Sequence, residues 1–240
     1  MLRFGLIGHP VGHSWSAQWF TKRFEQVGLE AEYRLYDIAP IHINKIAWLG
    51  LDGFNVTIPY KQVIIPYLDE IDETALAIGA VNVVARSEKG MKGYNTDWIG
   101  FRDSIKPLLK ETDKRALVFG SGGAAKAVEF ALRKLGLEPQ IVSRKGPFRY
   151  QDVTAEVLRD YTVLVNCTPL GMAGEWEGKK VNIPYEALSK EHLLYECVYN
   201  PVETAFLKAG KEQGVERLKN GEEMLFRQAE EAWKYWIIDK

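Results

Sequence analysis

A chain of 240 residues is long enough for two modest domains or one large one, and we predict two. Hydrophobic residues make up 46% of the chain and charged residues 26%, which is typical of a folded protein and excludes a disordered one. Acids and bases are interspersed and give a formal net charge of -1, so the composition disfavours nucleic-acid and membrane partners.

The cysteine and histidine content argues against a disulfide framework and a metal enzyme. Cys167 and Cys197 both lie in apolar, strand-like runs, where a free thiol behaves as a small buried hydrophobe. The four histidines are scattered without the spacing of metal ligands: His9, His13, His42 and His192. No charged leader or apolar window of about 18 residues is visible, which predicts a cytoplasmic protein.

The first part of the chain alternates predicted strands and helices. The predicted strands are Leu2–Gly8, Tyr33–Ile38, Gly53–Ile58, Ala80–Arg86 and a short one up to Tyr94. The predicted helices are Ser16–Val27, which Gly28 ends, a short one at Ile41–Leu49, one from Pro59 to about Leu68 and one that ends at Gly79. A last helix is capped by Asn95-Thr96-Asp97 and runs to about Leu109.

The polar stretch Lys110–Lys114 is the predicted domain boundary. After it, strands and helices alternate as a parallel, doubly wound sheet requires. The predicted elements are strands at Arg115–Phe119, Pro139–Ser143, Val163–Asn166 and Leu193–Tyr199, and helices at Ala124–Leu135, Thr154–Arg159, Glu203–Gln213 and Glu222–Ile238.

These elements predict an α/β fold with two domains. We expect an N-terminal α/β substrate-binding lobe over residues 1–110 and a Rossmann-like, doubly wound nucleotide-binding lobe over 111–218. The last helix carries Trp233, Tyr235 and Trp236, more apolar bulk than a free tail needs. We therefore expect residues 219–240 to complete the first lobe.

A glycine-rich turn follows the strand at Arg115–Phe119 and opens the next helix. Its sequence, Gly120-Ser121-Gly122-Gly123-Ala124-Ala125, fits the pattern G-x-G-x-x-A. The first glycine allows a tight turn, the second lets backbone amides approach a pyrophosphate, and the final small residue permits close helix packing. Between a strand and a helix, this turn predicts dinucleotide binding, although turns that are only structural also collect glycine.

The end of the next strand indicates which dinucleotide binds. An NAD site usually carries an acid there, which accepts hydrogen bonds from the ribose 2′-hydroxyl. This chain instead has Ser143-Arg144-Lys145. A guanidinium can bind a 2′-phosphate with two donors and an ammonium adds charge, so we predict NADP as the cofactor. The alternative is a solvated basic pair in a surface loop.

Small polar residues lie where strands of the first lobe end or helices begin: Ser14, Ser16, Asn55, Thr57, Lys61, Asn82, Asn95 and Asp97. Ser14, Ser16 and Asp97 also have an ordinary interpretation as helix caps. Lys61 is unusual, because a cation in the first turn of a helix opposes the helix dipole. Its position predicts an acidic partner or an anionic ligand.

Eight motifs in this order resemble the shikimate dehydrogenase family, and they span nearly the whole chain. They are Gly8–Ser16, Asn55–Lys61, Gly79–Asn82, Asn95–Asp97, Gly120–Ala125, Asn166–Met172, Tyr199–Pro201 and Met224–Ala229. The resemblance implies an NADP-dependent oxidoreductase that reduces 3-dehydroshikimate to shikimate in chorismate and aromatic amino acid biosynthesis.

The resemblance also implies residue roles. Lys61 and Asp97 would be the catalytic, proton-transferring pair. The implied substrate-binding residues are Ser14 and Ser16 for the carboxylate, Thr57, Asn82 and Gln228 for ring hydroxyls, and Tyr199 near the ring. The expected cofactor-binding residues are Gly120, Ser121, Gly122, Gly123, Ala124, Ser143, Arg144, Lys145, Thr168 and Gly221. No metal is expected. The expected partner is the small-molecule substrate, and we expect the protein to be a monomer or a homodimer.

Some features depart from the family pattern and leave alternatives open. Trp15 and Ala17 replace a Lys and a Pro that are common around the paired serines, which puts the rim of the pocket in doubt. One alternative is a quinate/shikimate dehydrogenase that uses NAD, which both serines and Arg144 disfavour. Another is a catalytically silent paralogue that only binds the ligand, which retention of Lys61 and Asp97 disfavours.

Overall fold

A computed structural model describes residues 1–12 and 14–237 and divides the chain into two compact units. The first unit contains Met1–Thr96 and the residues from Ala229 onward, and the second contains Asp97–Gln228. Each unit combines helices with one β-sheet, which confirms the predicted α/β fold class. Within the described residues, no helix is both long and apolar enough to cross a bilayer.

The first unit is built on a six-stranded mixed sheet. Its elements are β1 (Leu2–Gly8), α1 (Trp15–Val27), β2 (Ala31–Asp37), a 3-10 helix (Pro40–Leu49), β3 (Gly53–Val56), a 3-10 helix (Ile65–Tyr67), β4 (Glu70–Ile71), α2 (Glu73–Ile78), β5 (Val83–Ser87) and β6 (Gly90–Tyr94). The strand order is β2-β1-β3-β5-β6-β4. β1 is parallel to both β2 and β3, so the carboxyl ends of these three strands meet at one edge.

The second unit carries a five-stranded sheet. Its elements are α3 (Asp97–Ile105), a 3-10 helix (Lys106–Leu108), β7 (Arg115–Phe119), α4 (Gly123–Lys134), β8 (Glu138–Val142), a 3-10 helix (Tyr150–Asp152), α5 (Ala155–Asp160), β9 (Val163–Asn166), a 3-10 helix (Tyr185–Ala187), β10 (Leu193–Glu196), α6 (Ala205–Glu212), β11 (Arg217–Lys219) and the first part, up to Gln228, of α7 (Glu222–Ile237). The order is β11-β10-β9-β7-β8 and all neighbours are parallel. After β7 the chain adds β8 on one side of that strand and then β9 on the other, so the order of strands reverses between β7 and β9. Doubly wound folds bind their ligands at such a point.

The later turns of α7 pack in the first unit. Trp236 is 1% exposed, its ring stacks on Phe4 with centroids 4.9 Å apart, and its Nε1 donates to the Val84 carbonyl at 3.0 Å. A Cβ on Gly53 would lie 2.6 Å from the indole, so glycine is required at that point of β3. The predicted end of this helix at Ile238 lies outside the described residues.

The division at Thr96/Asp97 corrects the boundary that we placed at Lys110–Lys114. Phe101 and Ile105 of α3 are fully buried in the core of the second unit, so this helix belongs there. The polar stretch is not a free linker either. Asp113 is 5% exposed and forms a paired, buried salt bridge with Arg217 at 2.5 Å. The assignment of substrate and cofactor binding to the two domains stays a prediction.

The helix predicted from Pro59 to Leu68 is wrong. The Lys61 carbonyl accepts from the Val81 amide at 2.7 Å, and the Ile65 amide donates to the Gln62 carbonyl at 3.4 Å rather than to Lys61. Pro66 has no amide hydrogen and disfavours helical geometry at the residue before it. The segment therefore folds as turns with one 3-10 helix, and the dipole argument for Lys61 no longer applies.

Two further differences concern short strands. β10 ends at Glu196 rather than Tyr199. The Cys197 amide still donates to the Asn166 carbonyl at 2.9 Å, but the Val198 amide turns back and donates to the Glu196 side chain at 3.1 Å. β4 and β11 were not predicted, since they have two and three residues and no apolar pattern. β11 forms by pairing with β10, and Arg217 at its start is tied to Asp113.

Candidate functional site

The carboxyl ends of β1 and β3 bring two of the sequence motifs together. The Thr57 amide donates to the Ile7 carbonyl at 2.9 Å, and the His9 amide donates to the Ile58 carbonyl at 3.0 Å. A Cβ on Gly8 would lie 2.5 Å from the Thr57 methyl group, so a glycine is needed for this approach. The chain segments that follow the two strands thus lie side by side, at the edge where α/β sheets present ligand-binding groups.

The paired serines follow β1 at the start of α1. The Ser14 hydroxyl accepts from the Ser16 amide at 3.1 Å and caps the helix, so the ordinary interpretation holds for Ser14. Ser16 lies inside the first turn and is 8% exposed. His13, which precedes Ser14 within the first motif, lies outside the described residues.

Asp37, at the end of β2, holds the segment that leads to these serines, and no sequence motif indicated this role. Its carboxylate contacts His9 Nδ1 at 2.6 Å and accepts from the Val11 amide at 3.2 Å. The hydrogen bond with His9 lowers the pKa of Asp37. An acid at the end of a strand adjacent to β1 is the signal that would have found it.

Lys61 and Asn82 are joined through the backbone of the first unit. The bond from the Val81 amide to the Lys61 carbonyl places Lys61 beside the residue that precedes Asn82. The Val56 amide donates to the Asn82 carbonyl at 2.9 Å, which brings Thr57 to the same place. The structure therefore gathers Thr57, Lys61 and Asn82, which the sequence singled out separately.

The Asn82 side chain is the centre of a buried polar network. It is 2% exposed, its Oδ1 accepts from the Thr96 amide at 2.7 Å, and its Nδ2 contacts Thr96 Oγ1 at 3.0 Å. Nearby, the Tyr33 hydroxyl donates to Asn55 Oδ1 at 2.8 Å, and burial raises the pKa of Tyr33. Asn55 thus has a structural role, and the hydrogen bonds with Thr96 help to orient the Asn82 amide.

Asp97 and Gln228 lie on two helices that pack closely in the second unit. Asp97 is the first residue of α3 rather than a cap before it, and it is 4% exposed. One turn later, a Cβ on Gly100 would lie 2.6 Å from the Met224 carbonyl and 3.0 Å from the Gln228 amide. Gln228 is 8% exposed and its Nε2 donates to the Leu225 carbonyl at 2.8 Å.

The glycine-rich turn has the geometry that dinucleotide binding needs. Gly120 has φ +114°, a backbone conformation that favours glycine, and a Cβ there would also lie within a tight 3.2 Å of the Cys167 carbonyl. No described atom lies within 4 Å of a Cβ built on Gly122, which leaves space above the turn. Gly123 begins α4, and the backbone amides at a helix N-terminus are suited to bind an anion.

The basic segment lies next to this turn. The Gly120 amide donates to the carbonyl of Val142, the last residue of β8, at 2.9 Å. Ser143 is 8% exposed, whereas Arg144 and Lys145 are exposed. The two cations therefore follow the strand beside the turn, and their side chains are accessible to a 2′-phosphate.

The turn after β9 completes this edge of the second sheet. A Cβ on Gly120 would lie 3.4 Å from the Thr168 methyl group, so Thr168 lies against the glycine-rich turn. Gly221 packs on the loop after β10, where a Cβ would lie 2.2 Å from the Cys197 carbonyl. Tyr199, in the same loop, is 39% exposed. Cys167 and Cys197 are free thiols 3.6 Å apart, and burial raises the pKa of Cys167.

Comparison with known proteins identifies what this chain resembles. Residues 6–84 match the family described as the shikimate dehydrogenase substrate binding domain. A relative from Caldanaerobacter subterraneus, named shikimate dehydrogenase (NADP(+)), is 37% identical across 97% of this chain and 90% of its own length.

Two solved structures that are named for different activities both have a fold similar to that of this chain. The shikimate 5-dehydrogenase of Thermus thermophilus, in complex with NADP(H) and shikimate, has a TM-score of 0.84 and 33% identity over 99% of this chain and 94% of its own. The quinate dehydrogenase of Corynebacterium glutamicum, in complex with NAD, has the same TM-score of 0.84 but 26% identity, over 98% and 93%. The fold is common to both activities, so the choice between them depends on side chains.

Proposed function

The chain belongs to the shikimate dehydrogenase family, and from that premise we propose that it reduces 3-dehydroshikimate to shikimate with NADPH, reversibly. The observation that carries the proposal is that Thr57, Lys61 and Asn82 come together at the carboxyl edge of the first sheet, the edge from which the chain leads to Ser16 after β1; all four lie within the matched residues 6–84. Hydroxyl, amide and ammonium groups are the ones that a small polyhydroxy acid requires.

Two sets of side chains would hold the substrate. Ser14 and Ser16 would donate to its carboxylate from the start of α1, where the helix amides also favour an anion. Thr57, Asn82 and Gln228 would bind ring hydroxyls, and Tyr199 would lie near the ring. The Asn82 amide is held by Thr96, so it is oriented before the ligand arrives.

Lys61 and Asp97 would transfer the proton at the reacting oxygen. In the direction of reduction, an ammonium that donates to the carbonyl oxygen stabilises the alkoxide that develops and supplies its proton. The carboxylate would accept a hydrogen bond from the same ammonium or hydroxyl and keep it aligned. Lys61 belongs to the first unit and Asp97 to the second, so their joint action is part of the proposal.

The residues of the second unit fit NADP. Gly120–Ala124 and the first amides of α4 would bind the pyrophosphate, with Arg144 and Lys145 on the 2′-phosphate, and Thr168 and Gly221 would line the remaining part of the site. When bound, NADPH supplies the hydride. The exposure of both cations beside the glycine turn, with no acid among Ser143-Arg144-Lys145, supports NADP over NAD.

The test is a set of four rates: shikimate and quinate, each with NADP and with NAD. We expect kcat/KM to be highest for shikimate with NADP, by about tenfold or more over each other pair. NAD lacks the 2′-phosphate that Arg144 would bind, and quinate carries an extra hydroxyl on the carbon that bears its carboxylate, which a site for shikimate would not be built to pair. Equal rates with quinate or with NAD would favour a quinate/shikimate dehydrogenase. Shikimate binding without any NADPH formation would identify a silent paralogue.

A further inference from the structure

Glu196 is a fully buried acid that the proposed chemistry does not use. It ends β10 and is 0% exposed. Within the described part of the chain, its carboxylate accepts from neutral donors: Asn166 Nδ2 lies 3.0 Å from each oxygen, Thr204 Oγ1 lies at 2.9 Å and the Val198 amide at 3.1 Å. A carboxylate is rarely buried among neutral groups, because desolvation is costly, so its position calls for a reason.

The acid fixes the orientation of one amide. Asn166, the last residue of β9, is also 0% exposed. Since a carboxylate can only accept, it must face the NH2 group of Asn166, and the Asn166 carbonyl then points the other way. A neutral partner such as glutamine could face either end of the amide, so the charge selects one of two orientations.

The oriented side chain of Asn166 stabilises the turn that follows β9. Asn166 Oδ1 accepts from the Thr168 amide at 3.0 Å and from Thr168 Oγ1 at 2.7 Å. Thr168 Oγ1 accepts from the Leu170 amide at 3.3 Å, and Asn166 Nδ2 donates to the Leu170 carbonyl at 3.1 Å. These side-chain hydrogen bonds all lead back to Asn166, and through it to Glu196.

The turn lies where a dinucleotide would pass. Thr168 packs on Gly120 of the glycine-rich turn, and β9 is the strand next to β7 at the point where the strand order reverses. We propose that Glu196 is a positioning residue of the reaction, whose carboxylate holds the Asn166–Leu170 turn in the shape against which the nicotinamide half of NADP binds. This inference rests on the proposed function.

The decisive variant is Glu196→Gln, which keeps the shape and removes the charge. With shikimate and NADP at about pH 8.5, where Glu196 is ionised, we expect kcat to fall about tenfold or more, because the turn loses its fixed geometry. The KM for shikimate should stay within about twofold, since shikimate binds to other residues. Glu212→Gln, on the exposed face of α6, is the matched control and should leave kcat unchanged.

Hydrogen exchange supplies a readout that needs no activity. In Glu196→Gln, the Thr168 and Leu170 amides should exchange about tenfold faster or more, whereas amides of β7 should not change. If the wild-type chain shows no shikimate-dependent turnover, the proposed function fails, and these two exchange rates still decide the positioning role. Unchanged rates at Thr168 and Leu170 would overturn it.

Two conservative variants separate charge from shape. Glu196→Asp keeps the charge and should retain more kcat than the isosteric Gln; the reverse ranking would overturn the proposal. If Glu196→Gln does not fold, the swapped pair of Glu196→Gln with Asn166→Asp restores an amide facing a carboxylate. We expect slow exchange at Thr168 and measurable turnover in the swapped protein. If the doubly substituted protein folds but its Thr168 amide exchanges rapidly, the result would count against the proposal.

Discussion

The two units both orient an asparagine at the carboxyl end of a sheet, and they do so with different chemistry. Asn82 of the first unit is held by Thr96, a neutral residue, and its neighbour Asn55 by the Tyr33 hydroxyl. Asn166 of the second unit is held by the buried carboxylate of Glu196. A neutral network costs little to bury, whereas a charged one costs more and selects one orientation more strongly.

The difference suggests a division of labour. In the first unit a cation, Lys61, is joined through the backbone to the neutral network and would act on the substrate. In the second unit the charged group, the Glu196 carboxylate, is buried and would stabilise the Asn166–Leu170 turn rather than contact the substrate.

Replacing Lys61 should have the largest effect. We expect Lys61→Ala to lower kcat about a thousandfold, because proton transfer and stabilisation of the alkoxide are lost together. The KM for shikimate should change far less, as measured by steady-state kinetics. Lys22→Ala, an exposed lysine on α1, serves as the control. A Lys61→Ala enzyme with nearly normal turnover would refute the catalytic role.

The pH dependence of stability should distinguish the charged network from the neutral one. Burial raises the pKa of Glu196 from 4.5 to about 7, even though its hydrogen-bond donors lower it. Between these values the folded protein keeps a proton that the unfolded chain has released, so the free energy of unfolding should fall as the pH rises through this window.

The size of that fall is about 3 kcal/mol for a shift of this extent. In urea unfolding from about pH 4.5 to pH 8, the Glu196→Gln protein should lack this part of the decline. The comparison uses the difference between the two pH profiles, so a constant loss of stability in the variant does not affect it. Parallel profiles would show that the Glu196 carboxyl titrates normally.

Removing the side chain of Asn82 should lower the free energy of unfolding less than complete titration of Glu196 does. Asn82→Ala leaves the buried Thr96 amide without its acceptor, and we expect the free energy of unfolding to fall by about 2 kcal/mol. Asn44→Ala, an exposed asparagine, is the control and should stay within about 0.5 kcal/mol. Equal stability of the two variants would show that Asn82 does not organise this part of the fold.

Removing the guanidinium beside the glycine turn should have the smallest effect. We expect Arg144→Ala to reduce the preference for NADP over NAD about tenfold, because a charge-assisted pair with the 2′-phosphate is lost. The KM for NAD should hardly change, and Arg159→Ala on α5 should have no effect on the preference. An unaltered NADP to NAD ratio would disprove the role given to Arg144.

Local requirements explain which features the sequence could predict. The glycine turn was predictable because φ +114° at Gly120 favours glycine, and because the turn lies between an apolar strand and a helix. The parallel sheet was predictable from the alternation of apolar strands and helices. The positions of Asp113 and α3 were not, since they depend on the Arg217 ion pair and the core of the second unit.

Long-range contacts explain what the sequence missed. The turn around Lys61 is set by the Val81 amide, and the role of Asp37 by His9, each a partner distant along the chain. Glu196 stands in an apolar run, which predicts burial of the strand but not which groups meet its carboxylate. Only the pairing of β9 with β10 places Asn166 opposite it.

The position of Trp236 has a consequence for how the chain is made. Phe4 and Phe20, which pack against its ring, leave the ribosome long before it does, with the whole second unit translated in between. The N-terminal half of the nascent polypeptide therefore carries an unfilled apolar gap through most of translation. A product truncated ahead of α7 would expose those aromatic rings and be prone to aggregate.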